Sequence, residues 1–274
     1  MKELVTEAHK RSYEENGFAV IRGVFTSSEM EELKRLHHNI WTQRVQEGKI
    51  VQDPGKPLVS LFDEMHETYR LNEAIMNYYI DPRNFEIVEN LIGEEALAVG
   101  STFYYKSPGS NMLVFHQDNY DIGVTPGTSC AYWVSLDEAA PENGGLMYIP
   151  KTHRYGLLQT NLPKTDLCEH LPEIIRGEVG PDAEVPDTFE IVNVHTEPGD
   201  VVVHTGDVIH GSWANRSVDK FRHAFGIHFV AAGSEKIFMF NNDLMDKYGN
   251  NVQLKLNKRH ARIRTFNSYE VLKG

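Results

Sequence analysis

Asp200-Val201-Val202-Val203-His204-Thr205-Gly206-Asp207-Val208-Ile209-His210-Gly211-Ser212 reads as two strands joined by a tight turn. A β-branched run closes on Thr205-Gly206-Asp207 and resumes at Val208. His210 then stands at the end of the second strand, with Arg222 twelve positions further on. About ninety residues earlier, Leu113-Val114-Phe115-His116 reads as another strand, following the turn-like Ser107-Pro108-Gly109-Ser110. It continues into Gln117 and Asp118. On an extended strand residues i and i+2 point the same way, so His116 and Asp118 are expected to face one side. A strand so distant in sequence brings His210 to that pair only if the sheet folds back on itself, as a barrel or sandwich does.

Two imidazoles and one carboxylate on one face leave several coordination positions open. That facial triad is the signature of non-haem Fe(II) oxygenases. A catalytic zinc site also takes three N/O ligands and a water, so the triad alone leaves zinc open. Arg222 favours iron, because a guanidinium is always charged and grips a carboxylate at two points. The chain holds thirteen His. His195, His204, His223 and His228 compete for the ligand roles and are read as structural. His228 lies six residues past Arg222 and is placed to share its face and line the pocket.

Four stretches resemble the phytanoyl-CoA dioxygenase family of Fe(II)/2-oxoglutarate oxygenases. They are Tyr13 to Ile21, Tyr105-Lys106-Ser107-Pro108-Gly109 with His116 to Asn119, Ala131 to Asp137 with Glu142 to Leu146 and Ile149 to His153, and Gly199 to Arg222. The likeness covers about residues 15 to 232. It implies a mainly β fold, a double-stranded β-helix (jelly-roll, cupin-like) core flanked by N-terminal α-helices. It also implies that His116, Asp118 and His210 bind iron and that Arg222 binds the distal carboxylate of 2-oxoglutarate, with Ser212 beside it. Thr102, Trp133 and Lys106 fall where family members touch the cosubstrate, the role of Lys106 being open. The spacing from His210 to Arg222 is one longer than the family's usual eleven, which places an insertion in the Asn215–Lys220 turn. Arg216, in that turn, is the competing candidate. Related halogenases replace the carboxylate ligand with a small residue; Asp118 therefore favours hydroxylation. The implied cofactors are Fe(II), 2-oxoglutarate and O2.

At 274 residues the chain can bury roughly three quarters of its unfolded surface. One domain is expected: a mainly helical flank over 1–96, a jelly-roll core over 97–232 and a C-terminal extension over 233–274. A net charge of −12 argues against nucleic acid, whose phosphates demand a basic footprint, and against an anionic membrane. No apolar run of eighteen residues and no signal peptide are found. Two cysteines, Cys130 and Cys168, make no disulfide scaffold and fit a reducing, cytoplasmic address. The expected partner is a small-molecule substrate; monomer and homodimer are both left open.

Thr26-Ser27-Ser28-Glu29 offers a capping box, followed by Met30, Leu33, Leu36, His37, Ile40 and Trp41 at helical spacing. Two further helices are expected over Tyr69–Tyr79 and Asn84–Leu91, broken at Asp81-Pro82. Tyr104, Tyr120, Tyr132 and Trp133 are candidates for an apolar wall, and Asn119 for the pocket lining. Leu157 to Val194 is an acidic connection read as a lid partly overlying the iron site. The tail turns basic at Lys255, Lys258, Arg259, Arg262 and Arg264, read as a surface or oligomer contact or, alternatively, as a cation folded over the pocket. Two rival functions, a zinc-dependent cupin-like hydrolase and a non-catalytic small-acid-binding protein, are separated from the iron reading by metal content and 2-oxoglutarate dependence.

Overall fold

The computed structural model describes residues 3–158, 167–180, 184–238 and 242–257. Its N-terminal flank runs α1 (Glu7–Asn16), β1 (Phe18–Ile21), α2 (Ser27–Gln46), α3 (Pro57–Leu61), β2 (Met65–His66), α4 (Glu73–Tyr79) and α5 (Pro82–Ile92). The β-rich body follows: β3 (Ala96–Lys106), β4 (Leu113–His116), α6 (Asn119–Ile122), β5 (Cys130–Ser135) and β6 (Leu146–Ile149). It continues through α7 (Leu167–Val179), β7 (Val192–Asn193), β8 (Val201–Thr205), β9 (Ile209–Ser212) and β10 (Arg222–Ala231). Four two-residue strands, β11 to β14, lie between Lys236 and Leu256.

These strands form a jelly roll. A large sheet is ordered β1-β8-β5-β10-β3-β12-β13, with β2 beside β3, and a small one β4-β9-β6-β7. The turn at 205–208 carries the chain from β8 in the large sheet to β9 in the small one. Period-2 alternation then sorts each strand. On β5, Cys130, Tyr132 and Val134 join the cluster of Met30, Leu33, Ile40 and Phe85 from the helices, while Trp133 faces the cleft between sheets with Tyr148, Val202 and Ala224. Because helices cover one face of the large sheet and the small sheet covers the other, β5 and β8 are buried throughout. They read as continuous apolar runs although their pairing is antiparallel.

The capping box at Thr26 and Glu29 is formed, and Met30, Leu33, Leu36, His37 and Ile40 are buried as their spacing predicts. The helix expected over Tyr69–Tyr79 is shorter. Thr68–Arg70 is a single 3-10 turn, and α4 starts at Glu73 because the Asn72 carboxamide caps the amides of Ala74 and Ile75. Pro82 does more than break a helix, since it occupies the first turn of α5, where a missing N–H costs nothing.

The acidic connection is not a lid in its described part. Leu171 and Ile175 of α7, one turn apart, pack with Phe115, Met147, Ile149 and Ile209 on the outer face of the small sheet. Among the described residues of 157–194, none lines the cleft that holds the triad. Lys255 lies on β14 and is exposed. Lys258, Arg259, Arg262 and Arg264 fall outside the described residues. No helix among the described residues is long and apolar enough to cross a membrane.

Candidate active site

β4 and β9 pair antiparallel in the small sheet, with His116 directly opposite His210. That register explains how residues so far apart in sequence meet. Their ring centroids are 4.3 Å apart. Asp118 joins them by a different route from the one the sequence suggests. The strand ends at His116, and Asp118 has helical dihedrals, φ −60 and ψ −36, as the cap of α6. A chain reversal, not strand alternation, turns its carboxylate back onto the imidazoles. One ligand atom from each of His116, Asp118 and His210 lies within 4.8 Å of the others.

Both imidazoles are prepared as ligands. His116 Nδ1 is 2.8 Å from the Val114 carbonyl and His210 Nδ1 3.1 Å from that of Val208. A carbonyl only accepts, so each Nδ1 carries a proton, and Nε2 is the atom that each ring in its neutral form offers to a metal. Both Nε2 atoms face Asp118 Oδ1, at 3.4 and 3.7 Å. Burial alone would raise the Asp118 pKa. His210, then His116, His204 and His228, outweigh it and hold the group well below the usual carboxylate range. Burial, reinforced by His204, pushes the His210 imidazole down, which favours its neutral, metal-binding form. A carboxylate with two neutral imidazole nitrogens is a donor set that fits Fe(II).

The other end of the cleft is cationic. Arg222, Ala224, Gly226 and His228 share one parity on β10, and Tyr104 and Lys106 share one on the neighbouring β3. Arg222 and Lys106 are opposite each other in that register. Arg222 is 3 % exposed. Its Nε donates to the Gly144 carbonyl at 3.1 Å, its guanidinium lies 5.4 Å over the Trp133 ring, and its Nη1 is buried with no partner. A buried, unanswered guanidinium N–H is costly unless an acceptor arrives. Lys106 Nζ donates to Ser212 Oγ at 2.7 Å. Burial, with Arg222 adding to it, pushes the lysine down to about 6. Gly144 is required here: its φ is +94, and a Cβ would lie 2.5 Å from Lys106 Cδ.

The triad and this cationic end open into one cavity of about 360 Å³. Of the residues expected there, His116, Asp118, His210, Arg222, Ser212, Trp133 and Lys106 line it, as do Tyr104 and His228; Tyr132 borders it, although its side chain packs in the helix-side cluster. Thr102 does not; its hydroxyl is bonded to His66 Nδ1 at 3.0 Å. Asn119 and Tyr120 are likewise off the wall, the Asn119 carboxamide accepting from the Val124 amide. Arg216 is exposed and off the wall, and Arg222 is the arginine of the cleft. His204, read from the sequence as structural, also belongs to the site, its Nε2 3.0 Å from Asp118 Oδ2. Its shared parity with Val202 on β8 was the available signal. Leu146 and the mouth residues Lys56, Phe62, Asp63, Glu64, Asn111 and Met112 were missed by sequence reasoning.

A jelly roll that presents two histidines, one aspartate and a buried arginine in a single cleft defines the class of non-haem iron oxygenases served by a keto-diacid. The phytanoyl-CoA dioxygenase family model matches residues 13–224, and the chain belongs to that family, whose members are Fe(II)- and 2-oxoglutarate-dependent oxygenases. It is 26% identical over 246 residues to a probable phytanoyl-CoA dioxygenase of Caenorhabditis elegans, covering 83% of this chain and 76% of that one. To the phytanoyl-CoA dioxygenase of Arabidopsis thaliana it is 25% identical over 193 residues, 67% of this chain and 63% of the relative. The chain thus spans less than two thirds of that plant relative. The crystal structure of EctD from S. alaskensis with 2-oxoglutarate and 5-hydroxyectoine shares the fold, with TM-score 0.65, 21% identity and coverage of 84% of this chain and 77% of that one.

Proposed function

We propose that the protein hydroxylates a small organic metabolite, with 2-oxoglutarate as cosubstrate and succinate and CO2 as co-products. The observation that carries this reading is Arg222 Nη1, buried without a partner beside Lys106 in the cavity that also holds the triad. A hydrolytic metal site has no use for such a pair, whereas a five-carbon diacid needs it at one end and the metal at the other. Iron bound by His116, Asp118 and His210 supplies oxygen activation coupled to decarboxylation of the keto acid. The chain's own residues do the positioning. Arg222 and Lys106 fix the distal carboxylate by charge-assisted hydrogen bonds. Trp133, Tyr104 and Leu146 exclude water from the cosubstrate's length. Asp118 keeps its carboxylate, which favours hydroxylation over halogenation.

Substrate choice is read from the mouth. A cavity of about 360 Å³ stands near the lower limit for ligand pockets, which suits a small molecule. Lys56, Asp63 and Glu64 give the entrance both signs of charge, and Phe62 and Met112 add apolar wall. A small polar, zwitterionic metabolite suits that lining.

The test is succinate release from 2-oxoglutarate across metabolite classes. Asp118→Ala should abolish substrate-dependent turnover, and retained turnover would defeat the assignment. Arg222→Ala should raise the 2-oxoglutarate requirement by roughly 30-fold or more, as expected for truncating one partner of a buried charged pair. Arg216→Ala should leave that requirement unchanged; the reverse pattern would reassign the cosubstrate anchor.

A further inference from the structure

We infer that His204 and His228, with Tyr148 behind His204, are positioning residues that hold Asp118 to the metal through one oxygen only. This rests on the functional reading above insofar as a metal occupies the triad. The two carboxylate oxygens are divided between the sheets. Oδ1 faces His116 and His210 of the small sheet. Oδ2 faces His204 Nε2 at 3.0 Å and His228 Nε2 at 3.4 Å, both from the large sheet.

The placement follows from register. Ala131 on β5 is opposite His204 on β8 and opposite His228 on β10. The three side chains therefore form one row across three strands, with the small one in the middle. That leaves a gap between two imidazoles wide enough for a carboxylate oxygen arriving from the other sheet.

Proton direction is equally constrained. A carboxylate only accepts, so His204 donates from Nε2 and, as a neutral ring, must accept at Nδ1. Tyr148 Oη lies 2.9 Å from that Nδ1 and becomes the donor. Tyr148 is wholly buried, its ring stacked on Phe18 at 4.2 Å between centroids and at 15°, so the hydroxyl has little freedom to turn away. The chain of donors runs from Tyr148 to His204 to Asp118 Oδ2. An aspartate left free at Oδ2 can rotate to chelate through both oxygens, filling a coordination position that cosubstrate or oxygen needs. Histidines that merely filled space would not direct two ring nitrogens at the same oxygen.

Anaerobic Co(II) titration of the full chain, followed by its ligand-field absorption, tests this. His204→Leu should weaken Co(II) binding by about 10- to 100-fold, the usual effect of losing a partner behind a metal ligand. It should also change the absorption band shape as the carboxylate becomes bidentate. His204→Gln, which returns an N–H, should recover most of the affinity and the original band shape. Tyr148→Phe should shift both in the His204→Leu direction by a smaller factor. A folded His204→Leu protein with wild-type affinity and spectrum overturns the inference. Should that variant fail to fold, an unchanged affinity and spectrum in Tyr148→Phe overturns it instead. Wild-type protein that binds no Co(II), or an Asp118→Ala protein that binds it equally well, would overturn the functional reading itself and this inference with it.

Discussion

Lys106 combines burial, a hydroxyl partner and a cationic neighbour in one side chain, and each has a measurable consequence. With its pKa held down to about 6 by burial and by Arg222, it is largely neutral in the empty cleft at pH 7.5. A carboxylate arriving between Lys106 and Arg222 restores the ammonium form of the lysine, because an opposite charge at close range favours ionisation. Cosubstrate binding should therefore take up close to one proton at that pH, and affinity should fall as pH rises from about 6. Calorimetry of 2-oxoglutarate binding in two buffers of different ionisation enthalpy measures the uptake, which Lys106→Met should remove. At this scale much of the site was legible. His116, Asp118, His210 and Arg222 could be found because metal and carboxylate chemistry restrict residue type and spacing. His204 and His228 were read as structural, since strand parity says which face a side chain takes and not what arrives from the opposite sheet.

At the level of elements, the pairing of β4 with β9 is what turns two remote histidines into neighbours. Gly211 permits it. A Cβ there would lie 2.6 Å from the Leu113 carbonyl oxygen and 3.4 Å from the Phe115 amide nitrogen. Backbone, unlike a flexible side chain, cannot give way cheaply. Gly211→Ala should thus cost about 1–3 kcal/mol, the usual range for overpacking, and should weaken metal binding as the strands part. Thermal melting and Co(II) titration of the variant check both. The strands and α2 were readable from periodicity, because helical and two-residue spacings are strong signals over runs of this length. The start of α4 was not, since Asn72 competes with a helix already suggested by Tyr69. Asp118 was assigned to a strand for a similar reason: the apolar run gives no sign that it stops at His116.

The whole molecule is held through α2 packed on the large sheet, and one buried group makes that packing sensitive to acid. His37 is fully buried. Its Nδ1 donates to the Leu33 carbonyl at 2.8 Å, its Nε2 accepts from the Thr68 hydroxyl at 2.9 Å, and its ring stacks on Phe103. Burial pushes it down to about 4 from an ordinary 6.5. The folded state therefore binds fewer protons than the unfolded one between those values. Its stabilisation is complete above about 6.5 and is lost as pH falls toward 4, a difference of about 3 kcal/mol. Urea unfolding at pH 7 and pH 4.5, without metal, should show that loss, and His37→Gln should flatten it. Asp137, held down to about 2 first by its bond to His223, works in a lower window, its contribution fading only below about 3.8.

The mouth stands apart from this framework. Lys56, Asp63, Glu64 and Asn111 are exposed and belong to two short segments, one ahead of β2 and one ahead of β4. The reacting centre and the cosubstrate grip are drawn from paired strands, while these entrance side chains support no buried cluster. Glu64 alone of the four acts on the charges of Lys106 and Arg222, so a library confined to the other three positions could search for new substrates while leaving the oxidation chemistry intact.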